Sequence, residues 1–215
     1  MRYVGRENVR KLLEPLEGSP GRSVYADGAV ELVSDTCLTP LKGVRHRFRP
    51  SFGLAHEGTY DSIHLSPLLA EIARDHVIAV LLVRLGGYAV GVFDGERLVA
   101  SKVGSRFVKN RNKKGGSSSN RFRRRREEQA KALVREAGDV AATILGPWRD
   151  RAEFAALGGD RSAVDATLRA CPELAWLRER AIARFLAVSE PRERTLKALA
   201  YDLYAVEVRD DDPPD

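Results

Sequence analysis

The sequence lacks a long apolar run. Its longest, Val77 to Leu85, is interrupted by Arg84 and falls far short of the roughly 20 residues that a transmembrane helix needs. The first residues, Met1 to Gly5, contain no apolar core of a secretion signal. We therefore expect a cytoplasmic protein without membrane contact. With 215 residues, of which 43% are hydrophobic and 31% charged, the chain has an ordinary globular composition.

Cysteine and clustered metal ligands are also scarce. The two cysteines, Cys37 and Cys171, lie far apart and form no Cys-x-x-Cys pair, which argues against a disulfide scaffold or a cysteine-based zinc site. The four histidines are ten, eight and twelve residues apart and form no His-Glu-x-x-His motif. They are His46, His56, His64 and His76. We expect no metal and no other cofactor.

Acidic residues are absent from one stretch. Residues 97–126 contain twelve Lys or Arg and no Asp or Glu, so the rest of the chain has 24 basic and 30 acidic residues, a net charge of −6. The net charge of +6 for the whole chain therefore comes from this one segment. A block of like charge is stable when a polyanion neutralises it, and nucleic acid is the common cytosolic polyanion.

Apolar spacing and turn residues predict a single mixed α/β domain over residues 1–208, followed by an acidic disordered tail at 209–215. Gly86-Gly87 and Asp94-Gly95 predict hairpin turns between three antiparallel strands. Strands are expected within 23–33, where an Ala-Asp-Gly turn lies at 26–28, and within 41–52. The other expected strands are 77–85, 88–93, 96–103, 153–157, 181–188 and 201–208. The expected helices are 6–17, 66–74, 121–145, 162–169, 174–180 and 191–200.

A basic loop at 104–120 separates the third strand of this meander from the long helix at 121–145. Two glycines and three serines, Gly115 to Ser119, lie between cationic flanks, a composition typical of an exposed, flexible loop. The cations favour binding to phosphates without sequence preference, and the Gly-Gly backbone can approach a reacting bond closely and offer its N–H groups. On charge alone, a solvated basic loop with nonspecific affinity for nucleic acid explains the segment equally well.

The order of elements and the loop motif resemble a known family. The sequence from Lys113 to Arg125, Lys-Lys-Gly-Gly-Ser-Ser-Ser-Asn-Arg-Phe-Arg-Arg-Arg, resembles the loop and helix of the catalytic central domain of eukaryotic and archaeal class I release factors. It is more similar still to the Vms-like release factors, which act on peptidyl-tRNA in ribosome quality control. The size of the chain suggests the actinobacterial branch. The resemblance covers about residues 88–145, and elsewhere only the order of elements agrees.

The resemblance implies an RNase H-like α/β fold, with a mixed sheet flanked by helices and an exposed basic Gly-Gly loop. It implies that a monomer binds large-subunit ribosomal RNA and peptidyl-tRNA and hydrolyses peptidyl-tRNA in translation rescue or quality control. The catalytic positions carried over from the family are Gly115, Gly116, Ser117 and Ser118. The positions expected to bind nucleic acid are Lys109, Arg111, Lys113, Lys114, Arg121, Arg123, Arg124, Arg125 and Arg126.

The sequence departs from the family at one decisive position. The families carry a loop glutamine that helps to position water and the reacting carbonyl, and serine stands here whether the alignment places that position at Ser117 or at Ser118. The one glutamine of the chain, Gln129, falls on the expected helix. Three functions remain open: a peptidyl-tRNA hydrolase, a noncatalytic factor that binds stalled or idle ribosomes, and a general RNA- or DNA-binding protein.

Overall fold

The structure is a computed structural model that describes residues 1–34, 45–106 and 119–211. The chain divides into two compact units, residues 1–75 with 201–215 and residues 76–200, each with its own sheet and core. The single domain expected over 1–208 stays a prediction. Within the described ranges, no helix is long and apolar enough to cross a membrane.

The first unit, which we call the N-terminal unit, contains a six-stranded antiparallel sheet and two helices. Its strands, in the order β1-β10-β4-β3-β2-β5, are β1 (Arg2–Val4), β10 (Val206–Asp211), β4 (Arg45–Arg49), β3 (Ala29–Val33), β2 (Arg22–Ala26) and β5 (Gly58–Tyr60). Its helices are α1 (Arg6–Leu13) and α2 (Ser66–Ala73).

Residue alternation builds this sheet. The tight turn between β2 and β3 uses Asp27 and Gly28, whose φ values of 52° and 72° suit a two-residue hairpin. Alternate strand residues such as Leu32 and Phe48 are fully buried in a cluster that includes Leu13 of α1. One face of the sheet therefore packs against the helices, and the other carries polar residues such as Glu31 and Arg47.

The second unit, which we call the central unit, contains a four-stranded mixed sheet in the order β8-β7-β6-β9. Its strands are β6 (Val77–Arg84), β7 (Gly87–Asp94), β8 (Arg97–Ser105) and β9 (Phe154–Gly159), and its helices are α3 (Ser119–Leu145), α4 (Arg161–Ala170), α5 (Trp176–Glu179) and most of α6 (Glu193–Leu203). Strands β6, β7 and β8 form the predicted antiparallel meander, and β9 pairs with β6 in parallel. The expected mixed sheet flanked by helices is confirmed.

Helices cover both faces of this sheet. Leu133 of α3 and Val164 of α4 join one core cluster with the β7 residues Val90 and Val92. On the opposite face, α6 packs against Gly91 of β7, because a Cβ built at this glycine would lie 3.1 Å from the side chain of Leu196. Burial on both faces explains why β6 reads as a continuous apolar run and not as an alternating one.

Two predictions near the C-terminus were wrong. The strand expected at 181–188 is reduced to two isolated parallel bridges, Ala155 with Ala181 and Gly158 with Leu186. The last strand begins at Val206, because α6 continues to Leu203 and buries Leu196, Leu199 and Leu203 at helical spacing. Since β10 extends to Asp211, residues 209–211 of the expected tail belong to the sheet, and 212–215 lie outside the described residues.

Gly159, at the end of β9, is expected to tolerate no side chain. Its φ is +96°, and a Cβ there would fall inside contact distance of the Val83 carbonyl oxygen. We expect Gly159→Ala to lower the free energy of unfolding by about 2–4 kcal/mol, measured by urea denaturation. The matched control is Gly146→Ala, where a Cβ meets no atom within 4 Å. Equal stability of the two variants would contradict this prediction.

Candidate nucleic-acid interface

Helix α3 extends well beyond its packed part. It has 27 residues and a length of about 40 Å. Residues 123–125, 127 and 128 are exposed, and the first fully packed residue is Leu133, at 1% exposure. Most of the side chains that the structure describes at the start of the helix are therefore exposed to solvent, and we call residues 121–128 the free end of α3.

Positive charge is concentrated on this free end. Arg121, Arg123, Arg124 and Arg125 are all exposed, and the first turn contains no acidic residue. The N-terminus of a helix already carries about half a positive charge, so these arginines add to an unfavourable field. An anion such as phosphate relieves that repulsion, which makes the free end a strong candidate for binding a polyanion.

The neighbouring carboxylates neutralise little of this charge. Arg123 and Glu127 approach only to 3.9 Å, with both side chains more than 60% exposed, a pair worth a few tenths of a kcal/mol. Arg121, Arg124 and Arg125 line one concavity together with Glu128. Arg126 differs from these three, because it is half-buried and its Nε has no hydrogen-bond partner within the described part of the chain.

A polar contact anchors α3 where the basic segment leaves the sheet. Tyr88 on β7 donates its hydroxyl hydrogen to Glu136 Oε1 of α3, at 3.1 Å. Arg106, directly after β8, lies 3.6 Å from the other oxygen of Glu136 and donates its backbone N–H to Gly86. One carboxylate therefore joins the helix to two strands, and we call Tyr88, Arg106 and Glu136 the anchor.

Gly104 makes room for the anchor. It is the register partner of Tyr88, and a Cβ at this position would overlap the tyrosine ring. The ring can therefore lie across β8 and reach the helix. Tyr88 is only 3% exposed, and burial, followed by the hydrogen bond to Glu136, raises the pKa of its hydroxyl above the ordinary value.

The tip of the basic segment falls outside the described residues. The predicted catalytic positions Gly115, Gly116, Ser117 and Ser118 lie there, as do Lys109, Arg111, Lys113 and Lys114. The bounds of the segment shift from the predicted 104–120, since β8 includes Gly104 and Ser105 and α3 begins at Ser119. Gln129 lies on α3, about 15 Å along the helix from Ser119.

Sequence reasoning missed the anchor. Tyr88 and Glu136 are 48 residues apart, and each is unremarkable in its own element, a strand aromatic and a helix acid. Gly104 offered a faint signal, because glycine in a strand often marks the close approach of another group.

Each of the four histidines has a polar neighbour. These neighbours are Asp210 at 3.0 Å for His46, Tyr60 at 2.8 Å for His56, Glu17 at 3.2 Å for His64 and Glu153 at 3.0 Å for His76.

A family model described as the Actinobacteria/chloroflexi VLRF1 release factor matches residues 76–209, which is more than half of the chain. The chain therefore belongs to this family of release-factor-like translation factors. The resemblance drawn from the loop and helix is confirmed, and the match extends it over the whole central unit. No curated protein matches the chain in sequence.

Several solved structures are similar to the chain at low sequence identity. The archaeal translation termination factor aRF1 is 13% identical with a TM-score of 0.41, over 93% of this chain and 73% of aRF1. A second archaeal protein is 13% identical with a TM-score of 0.40, over 91% and 70% of the two chains. Dom34 of S. cerevisiae, a translation termination-like factor of RNA quality control pathways, is 8% identical with a TM-score of 0.32, over 91% and 62%. Values this low add no argument to the family assignment.

Tyr88→Phe tests the anchor. Loss of a partly buried hydrogen bond to a carboxylate should cost about 1–2 kcal/mol of unfolding free energy at pH 8. Because the folded state raises the pKa of Tyr88, its contribution is complete below pH 10, the ordinary pKa of tyrosine, and is lost as the pH rises through the folded pKa. Urea denaturation at pH 8 and pH 11 should therefore show a smaller difference between variant and wild type at pH 11.

The control for this test is Tyr3→Phe. Tyr3 is 37% exposed, and its hydroxyl lies 3.4 Å from Glu207, so this change should cost only a few tenths of a kcal/mol. A cost for Tyr88→Phe that is the same at both pH values would show that the hydroxyl does not donate to Glu136.

Proposed function

We propose that this chain enters the large ribosomal subunit and releases the nascent polypeptide from peptidyl-tRNA, in ribosome rescue or quality control. The observation that carries this proposal is the arginine-rich free end of α3, which directly follows the Gly-Gly-Ser-Ser sequence at 115–118 in a chain of release-factor family. The same proposal makes it a cytoplasmic protein that acts as a monomer.

The arginines provide binding and orientation. The exposed guanidinium groups of Arg121, Arg123, Arg124 and Arg125 suit phosphate oxygens, because the planar group donates two parallel hydrogen bonds. Such contacts position the protein on RNA and read no sequence. We assign Arg126, Lys109, Arg111, Lys113 and Lys114 to the same role, since they continue the charge along the segment.

The tip provides the chemistry. In the proposed reaction, a water oxygen attacks the ester carbonyl carbon, the bond to the terminal ribose oxygen breaks, and that oxygen leaves with a proton. The backbone N–H groups at Gly115 and Gly116 stabilise the oxyanion, and the hydroxyl of Ser117 or Ser118 orients the water. Positioning and oxyanion stabilisation carry this mechanism, so it requires no strong base, metal or cofactor.

The anchor supports both roles. Glu136 connects α3 with β7 and with the residue that follows β8. The strand before the basic segment and the helix after it are therefore held together. A catalytic segment is effective when its supporting residues are held within a fraction of an ångström. We therefore assign Tyr88, Arg106 and Glu136 to positioning, without contact to the substrate.

A noncatalytic ribosome- or tRNA-binding factor is the second candidate. The observation that favours it is the absence of glutamine from residues 104–120, together with the place of Gln129 about 15 Å along α3. A general RNA-binding protein is the third candidate, favoured only by charge. It predicts equal affinity for any RNA, whereas the first two predict preference for large subunits or tRNA complexes.

Replacing arginines on the free end should weaken binding to the large subunit. We expect the pair Arg124→Ser and Arg125→Ser to reduce the slope of log affinity against log salt by about one per arginine, measured by co-sedimentation between 50 and 200 mM salt. The control pair is Arg135→Ser and Arg169→Ser, two exposed arginines farther along α3 and on α4. If both pairs change the slope equally, the free end is not the contact.

Release from stalled peptidyl-tRNA complexes tests the chemistry. We expect wild-type protein to release the nascent chain, Gly116→Val to abolish release with binding intact, and either Ser117→Gln or Ser118→Gln to raise the rate. Removing one positioning group commonly lowers a rate by about 10²–10³, so restoring it should give a clear gain. Binding without any release by wild-type protein would favour the noncatalytic factor, and no gain from either glutamine would reject the serine assignment.

A further inference from the structure

We propose that the N-terminal unit carries a second RNA-binding surface, formed by arginines on the open face of its six-stranded sheet. The family match begins at residue 76, so it assigns no role to β1–β5. This inference is independent of the proposed release activity, because its residues are remote in sequence from residues 104–128. The inference rests on the positions of these arginines in the sheet.

Strand alternation places the arginines on one face. In β4, His46 and Phe48 are fully buried, whereas Arg45, Arg47 and Arg49 point to the opposite side. Residues two apart in a strand are about 7 Å apart, so the three form a row. The buried side packs against α1 and α2, and the arginines therefore face away from the hydrophobic core.

Neighbouring strands widen this row into a surface. Arg209 on β10 is the register partner of Arg47, and Arg22 on β2 is paired with Val33, itself the partner of Arg45. Directly opposed residues share a face of a sheet, so all five arginines lie on the same side. We call Arg22, Arg45, Arg47, Arg49 and Arg209 the arginine face.

The acidic residues on this side leave the face positive. Glu31 lies 3.5 Å from Arg45, and Glu207 lies 2.6 Å from Arg209, yet the Arg45 and Arg209 side chains remain 53% and 55% exposed. Within the described part of the chain, Arg47 has no ion pair or side-chain hydrogen bond. Together with Asp211, the register partner of Arg45, three acidic positions oppose five arginines.

Charge is separated within this unit. Residues 1–75 and 201–215 contain eleven basic and sixteen acidic residues, a net charge of −5, although five of the eleven basic residues lie on one face. A polyanion recognised by planar guanidinium groups is the ligand that this pattern fits, and phosphates are the groups that arginine binds in pairs of hydrogen bonds.

An RNA strand suits the face better than a compact anion does. The arginines lie on β10, β4 and β2, so the face extends over four neighbouring strands that include β3. Tyr3 lies on the same side, as the register partner of Glu207, with 37% of its surface exposed. Open sheet faces that combine cations with aromatic rings bind single-stranded RNA through phosphate contacts and base stacking. The family assignment to translation factors makes RNA, and not DNA, the strand that we propose.

The test compares two double variants of the full chain. The first variant is Arg45→Ser with Arg47→Ser on the arginine face. The control is Arg10→Ser with Lys11→Ser, which changes two exposed cations on α1, the helix that packs on the other side of the sheet. The probe is a 20-nucleotide oligouridylate, titrated between 50 and 200 mM salt. Each pair is made in wild type and in the Arg124→Ser, Arg125→Ser background, which separates this face from the free end of α3.

We expect the face pair to lower the salt slope by about 1.4 and the affinity at 100 mM salt about tenfold or more, since each phosphate contact to a single strand contributes about 0.7 to the slope. The control pair should change neither. Thermal unfolding checks the fold, and Arg45→Lys with Arg47→Lys should retain most of the slope. Equal effects of the face and control pairs, or complete loss of the slope with the lysine pair, would overturn the proposal.

Discussion

The carboxylate of Glu136 is the contact on which the rest of the site depends. It accepts a hydrogen bond from buried Tyr88 and faces Arg106, so it connects the middle of α3 with the first residues of β7 and the end of β8. Apolar packing holds the helix from Leu133 onward and resists separation of helix and sheet. A directed hydrogen bond also resists sliding and rotation. The carboxylate of Glu136 therefore contributes to the direction in which the four exposed arginines at the start of the helix point.

Charge is distributed unevenly and against local stability. The central unit has 25 basic and 14 acidic residues, whereas the N-terminal unit is net acidic. In the central unit, arginines cluster at a helix N-terminus, where the helix dipole opposes them. In the N-terminal unit, arginines cluster on one face of the sheet. Natural sequences place charge against local preference mainly at functional sites, because a bound ligand offsets the cost that the free protein carries.

Local sequence patterns predicted most of the central unit. The turn residues Gly86-Gly87 and Asp94-Gly95 predicted the antiparallel meander, and the apolar stripe through Leu133, Ala137 and Ala141 predicted the long helix. The strand expected at 181–188 was wrong because an apolar run cannot distinguish strand pairing from two isolated bridges. The anchor and the arginine face depend on register between distant segments. The alternation in β4 can be seen in the sequence. The positions of Arg209 and Arg22 on the same face could not be predicted, since the pattern of a single sequence contains no information on which strands pair.

The missing glutamine changes the kind of release factor that this chain can be. A termination factor works on every completed protein, so a rate lower by about 10²–10³ would delay translation as a whole. A rescue factor acts on complexes that otherwise persist, and its rate competes only with slow spontaneous hydrolysis. In the proposed mechanism, the oxyanion contribution of the backbone N–H groups at Gly115 and Gly116 does not depend on a side chain, so the loss of glutamine would leave it in place. Under the same proposal, phosphate binding by the free end of α3 would lengthen the residence time and so offset a slow chemical step. The proposed function therefore fits rescue of stalled complexes better than routine termination.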